Sequence, residues 1–122
     1  MMKRYKVRVT TAADGTATAF TPQVKGKLHQ IEYVKTDYAD GVDFTITGEK
    51  TGIGLWTESN VNASAVRAPR QPTHSQVGAA LLYASGGTAV ADKVAIAADR
   101  IKIVLAQGGN AKVGDFHFLI EE

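Results

Sequence analysis

Apolar residues that return at every second position, in short runs broken by glycine and asparagine, leave this chain little choice but β-strands. Tyr5, Val7 and Val9 fall on one side of the first run, and Arg4, Lys6, Arg8 and Thr10 fall on the other. Asp14-Gly15 signals a turn before a β-branched stretch at Thr16–Phe20 that Pro22 ends. A longer strand candidate runs from Val24 to Thr36, with Val24, Leu28, His29, Ile31 and Tyr33 competing for the inward face. Its alternation slips at Gly26 and again between Leu28 and Ile31, which predicts a bulge or break. Val42, Phe44 and Ile46 then alternate cleanly, a turn follows at 48–52, and Ile53–Thr57 returns as the second half of an antiparallel hairpin.

Residues 58–78 break the rhythm. Asn60, Asn62, Pro69 and Pro72 predict a long irregular loop, which in a compact domain is uncommon and usually functional or disordered. Ala79–Ala84 fits a helical turn or a strand equally, and Thr88–Lys93 and Val94–Ala97 read as two short pieces beyond Gly86-Gly87. At the end, Ile101, Ile103 and Leu105 alternate up to Gly108-Gly109-Asn110, and Phe116, Phe118 and Ile120 alternate back, which predicts a hairpin. Short strands with turns roughly every ten residues predict an antiparallel β-sandwich, jelly-roll-like in type. With 122 residues, it is expected to be a single domain over 1–122. A domain of this size buries roughly 65–70% of its unfolded surface, so it needs no covalent staples.

Composition closes several routes to function. There is no cysteine, which excludes disulfides, thiolate metal sites and cysteine nucleophiles. No apolar run approaches the ~20 residues of a membrane helix, and the basic opening Met1–Lys6 has no apolar stretch behind it. The expectation is a protein with no membrane partner. His29, His74 and His117 stand at no short metal-ligand spacing. Asp37, Asp40 and Asp43 around Gly41 invite a calcium reading, but a loop of Asx turns explains them better than the calcium-loop pattern does. Gly48-Glu49-Lys50-Thr51 lacks the first glycine and the helix of a phosphate loop. No serine sits in a nucleophile elbow. The expectation is no catalytic, metal or cofactor site.

Charge points instead to contacts. Lysine and arginine number 14 against 12 acids, and Lys3, Arg4, Lys6 and Arg8 crowd the first strand with no acid among them. Without those four cations acids are in slight excess, so no broad basic face remains and direct nucleic-acid binding is not expected. Arg4, Lys6 and Arg8 share a strand face, and an acidic neighbour would relieve their repulsion. Arg67 and Arg70 sit in the proline-stiffened stretch Arg67–Pro72, which fits an exposed loop or an arm on a neighbouring subunit. These five residues are the candidate partner-binding set. Trp56, Phe44, Phe116 and Phe118 are expected to build the core.

Three stretches carry a family likeness: Ala39–Thr45, Leu55–Ser64, and the closing Arg100–Asn110. Together they resemble small structural proteins of tailed bacteriophages, from the head-assembly part of such genomes, including capsid decoration or cement proteins. The resemblance spans roughly residues 20–120 and implies a non-enzymatic virion protein. It implies a homo-oligomer, often a trimer, bound to the major capsid protein on the capsid surface. A tail, baseplate or head–tail joining protein of the same architecture is the alternative, and a carbohydrate-binding module is a third reading. The resemblance assigns no individual residue a role.

Overall fold

The computed structural model describes all residues from Met1 to Glu122 and contains ten strands and no helix. They are β1 (Met2–Thr10), β2 (Ala17–Phe20), β3 (Val24–Lys35), β4 (Val42–Gly48), β5 (Gly54–Val61), β6 (Ala65–Arg67), β7 (Arg70–Pro72), β8 (Ala91–Asp99), β9 (Ile101–Ala106) and β10 (Val113–Glu121). One sheet runs β1-β10-β3-β8-β7, with β6 also pairing β3; the other runs β2-β9-β4-β5. Every pairing is antiparallel. The two sheets face each other across one core, as an antiparallel β-sandwich.

The alternation read from the sequence supplies that core. Leu28, Ile31, Tyr33, Phe116, Phe118 and Ile120 face inward from the first sheet, and Phe44, Ile46, Ile101, Ile103 and Leu105 from the second. Phe44 packs edge-on against Trp56, Tyr33 and Phe116, with ring centroids 5.2, 4.7 and 5.1 Å away. Trp56, Phe44, Phe116 and Phe118 all lie in the buried cluster, as expected.

The slips expected in β3 are both present. Opposite β8 the register shifts between Val24 and Gly26, and opposite β10 it skips His29. Gly26 has φ +128°, and a Cβ there would lie 2.4 Å from the Glu121 carbonyl oxygen, so only glycine lets β3 bend this close to β10. The β4–β5 hairpin is also as expected, with Ile46 opposite Trp56.

Three expectations are corrected. The stretch at 58–78 is not a long irregular loop: β5 continues to Val61, and β6 and β7 follow, docked on β3 and β8. Proline is admissible at Pro72 because β7 is a sheet-edge strand. Ala91–Lys93 and the piece at 94–97 are joined in one strand, β8, while Thr88–Val90 lie outside it. The closing hairpin does not form, because β9 lies in one sheet and β10 in the other. Two strands packed face to face across a core show the same alternation as two paired edge to edge. Gly108-Gly109-Asn110 is therefore a corner that carries the chain between layers. It is tied to the other crossings at that end by Gly108 N–H to Gly15 O at 2.9 Å and Ala39 N–H to Gly108 O at 3.0 Å.

The two ends of the chain meet. Met2 pairs with Glu121 in the β1–β10 ladder, and the Glu122 N–H donates to the Met1 carbonyl at 2.9 Å.

Candidate interaction surface

β1 is the edge strand of its sheet, and its polar face does carry Arg4, Lys6 and Arg8 outward together. The acidic neighbours that this row requires come from the same chain. Arg8 donates from Nε and Nη2 to the two carboxylate oxygens of Asp115 at 3.0 and 3.1 Å, across the β1–β10 register pair. That fork holds the buried Asp115 carboxyl below the usual carboxylate range. Arg4 reaches Glu32 on β3 at 3.2 Å. Lys6 has no hydrogen-bond or ion-pair partner and stands opposite His117.

The two other arginines are also engaged internally. Arg67 forks onto Glu58 at 3.0 and 2.9 Å and lies 5.3 Å over the Trp56 ring, while the Trp56 indole N–H donates to the same Glu58 at 3.0 Å. The triad seals the rim of the core beside β5. Arg70 donates to the His29 carbonyl at 3.0 Å, capping the residue that the β3 bulge leaves without a ladder partner on β10. The structure thus brings Arg4, Lys6 and Arg8 to one face and uses Arg67 and Arg70 as clips within the sandwich.

The aspartates of the 37–43 loop separate rather than converge. Asp37 accepts from Val113 N–H at 2.5 Å, Asp40 from Lys35 Nζ at 2.5 Å, and Asp43 from Asn60 N–H at 2.9 Å. No group of three or more His, Asp or Glu side chains is arranged to hold a metal ion. Two surface clefts exist, of about 240 and 150 Å³, both smaller than the roughly 300–1,000 Å³ typical of small-molecule sites. The larger is lined by Lys3, Tyr5 and Lys25 among others, and Lys3 already faces Glu122 at 3.8 Å.

What the sequence reading missed lies between β7 and β8. Residues 73–90 form an arm of short bridged segments, with His74 opposite Ala80 and Leu82 opposite Ala89. Its base is clamped by Thr73, whose N–H and hydroxyl both donate to the Val90 carbonyl, at 2.9 and 2.7 Å. Val77, Leu81, Leu82 and Tyr83 stand on this arm 84, 43, 41 and 75% exposed. Tyr83 is the one strongly exposed aromatic; six of the other eight are buried, with Tyr5 and Phe20 half-buried. The signal was in the sequence. From Gln71 to Ala91 there is no Asp, Glu, Lys or Arg, in a chain that is 21% charged. Surfaces of monomers normally avoid such contiguous apolar exposure.

No protein-family model matches the chain, and no curated protein matches it. One solved structure, described as the crystal structure of FLHE, is similar to it at a TM-score of 0.44 and 8% identity, covering 99% of this chain and 98% of that one.

Proposed function

We propose that this chain is a non-enzymatic virion structural protein that decorates a bacteriophage capsid and stabilises it by covering the major capsid protein. The observation that carries the reading is the exposed, uncharged arm at 73–90, standing off a closed sandwich whose five arginines all have partners within the chain. Such an arm gains by burying protein surface and offers nothing to a reacting substrate. The bacteriophage resemblance supplies the class of surface to be covered. Protein that binds only the assembled lattice stabilises it by mass action, at roughly 2.7 kcal/mol when its free concentration is 100 times the dissociation constant. The trimeric state and capsid location belong to this proposal.

The test is electron microscopy and mass spectrometry of particles purified from the source that encodes the chain. Density for the sandwich at symmetry-related positions of the capsid shell supports the reading. Particles that lack the chain, or carry it only on the tail, overturn it.

A further inference from the structure

The arm has a counterpart farther along β8 of the same molecule. β7 pairs with β8 only as far as Lys93, so from Val94 to Asp99 β8 has β3 on one side and no strand on the other. β5 is likewise the edge of its sheet. Between these two open edges lies the cleft of about 150 Å³, walled by Ile53, Leu55, Ala95, Ile96 and Ala97. Its charged residues are Lys50 and Asp99, and both already have partners within the chain. Lys50 N–H donates to both Asp99 carboxylate oxygens at 3.1 Å, and Lys50 Nζ to the Ala98 carbonyl at 3.2 Å. The cleft is therefore apolar and close to neutral, with two strand edges available along it. An acidic or basic peptide would bring a charge with no free partner there, whereas a segment without charges brings none.

We infer that this cleft takes the 73–90 arm of a second copy of the chain, so that the protein self-associates head to tail. The arm matches the cleft in charge, having none, and in chemistry. A benzene-sized group fills an apolar cavity of about 150 Å³, which is the scale of the Tyr83 ring. Leu81 and Leu82 precede Tyr83 and add exposed apolar surface, and the β8 edge offers Ala95, Ala97 and Ala98, small side chains that permit close approach. Within one molecule both surfaces stay uncovered, so the contact is satisfied only between copies. Two different patches make a heterologous contact, which closes into a ring when the rotation permits and otherwise grows as an open chain. The inference shares with the proposed function the premise that the arm buries protein surface, but it needs no capsid. The arm variant bears on both contacts, whereas the cleft variant bears on self-association alone, so the two failures are distinguished.

The experiment is sedimentation equilibrium of the 13.0 kDa chain and of two variants, L82D/Y83D in the arm and Ala97→Arg in the cleft. The wild type is expected to associate below about 100 μM, and either variant to weaken association at least about tenfold. Circular dichroism and thermal unfolding serve as folding controls, and Tyr83→Ser is the milder arm variant if L82D/Y83D fails them. The decisive arm mixes the two variants. One keeps an intact cleft and the other an intact arm, so together they are expected to form a heterodimer that neither forms alone. A wild type that stays monomeric overturns the inference, and so does an oligomer unaffected by the arm variant. A mixture that does not pair overturns the arm-to-cleft assignment.

Discussion

At the scale of single residues, two buried tyrosines a few ångströms apart make opposite statements about polar groups in a core. The Tyr38 hydroxyl donates to the Val9 carbonyl at 2.5 Å, whereas the Tyr33 hydroxyl is buried without a hydrogen-bond partner. Burial pushes the Tyr33 phenol up to about 12. Tyr33→Phe is expected to raise stability by about 1 kcal/mol and Tyr38→Phe to lower it by a similar amount, as read from urea unfolding midpoints. Alternation placed Tyr33 inside but could not place Tyr38, which lies in the connection between β3 and β4, and it carries no information on which hydroxyl finds an acceptor. The acidic residues set a pH limit. Asp115 beside Arg8, Glu121 beside Lys93 and Glu49 beside Arg100 are all held below the ordinary carboxylate range. Each binds fewer protons folded than unfolded. Their contribution is therefore complete above the unfolded values near about pH 4, and it drains away as the pH falls through the folded ones. Urea midpoints between about pH 6 and 3 are expected to fall with acid, and Asp115→Asn to flatten that fall.

At the scale of elements, the strand runs were legible and their partners were not. A period of two says which side of a strand is buried but not which strand lies beside it, so the 101–120 segment read as a hairpin instead of a crossing between layers. β6 and β7 escaped because three-residue strands carry no alternation to detect, and β7 also contains Pro72. The five candidate contact residues were found as charges. Four of them have internal partners, and Glu32, Asp115 and the His29 carbonyl come from strands distant in sequence, whereas Glu58 lies nine residues from Arg67. The arm's apolar side chains went unremarked because alanine- and glycine-rich sequence fits helix, strand and loop alike. Two predictions belong here. Gly114 sits against the Tyr38 ring, where an added Cβ would lie 2.3 Å from Cε2. The ring is tethered through its hydroxyl and cannot yield freely, so Gly114→Ala is expected to cost about 1–3 kcal/mol by thermal or urea unfolding. The arm, by contrast, is closed at its base by the Thr73–Val90 bonds. Replacing residues 74–89 by a short glycine link is expected to leave the melting temperature of the sandwich within a few degrees, because no arm residue belongs to the buried core.

At the scale of the whole molecule, one core of two layers is stitched at one end by three crossings and carries a single uncharged projection. The stability of the sandwich and the reactivity of its surface are thereby separated, since the arginines brace the body and four of the seven exposed large apolar side chains stand on the arm. That separation predicts that arm variants change association without changing unfolding, whereas Arg67→Ala, which strips Trp56 and Glu58 of a shared partner, does the reverse. Differential scanning calorimetry beside sedimentation distinguishes the two classes. The meeting of the chain ends predicts further that a circular permutant joined from Glu122 to Met1, and opened between Gly86 and Gly87, retains the native circular-dichroism spectrum.

The position of β10 between β1 and β3 also governs when the molecule becomes whole. During synthesis β1 emerges first and waits, its edge unpaired, until residues 113–121 arrive to bridge it to β3. A polypeptide released early leaves its first sheet in two pieces with aromatic side chains bare, a ready target for proteases and chaperones. The order of the strands thus makes β1 the last to find its place, since it joins its sheet only through β10.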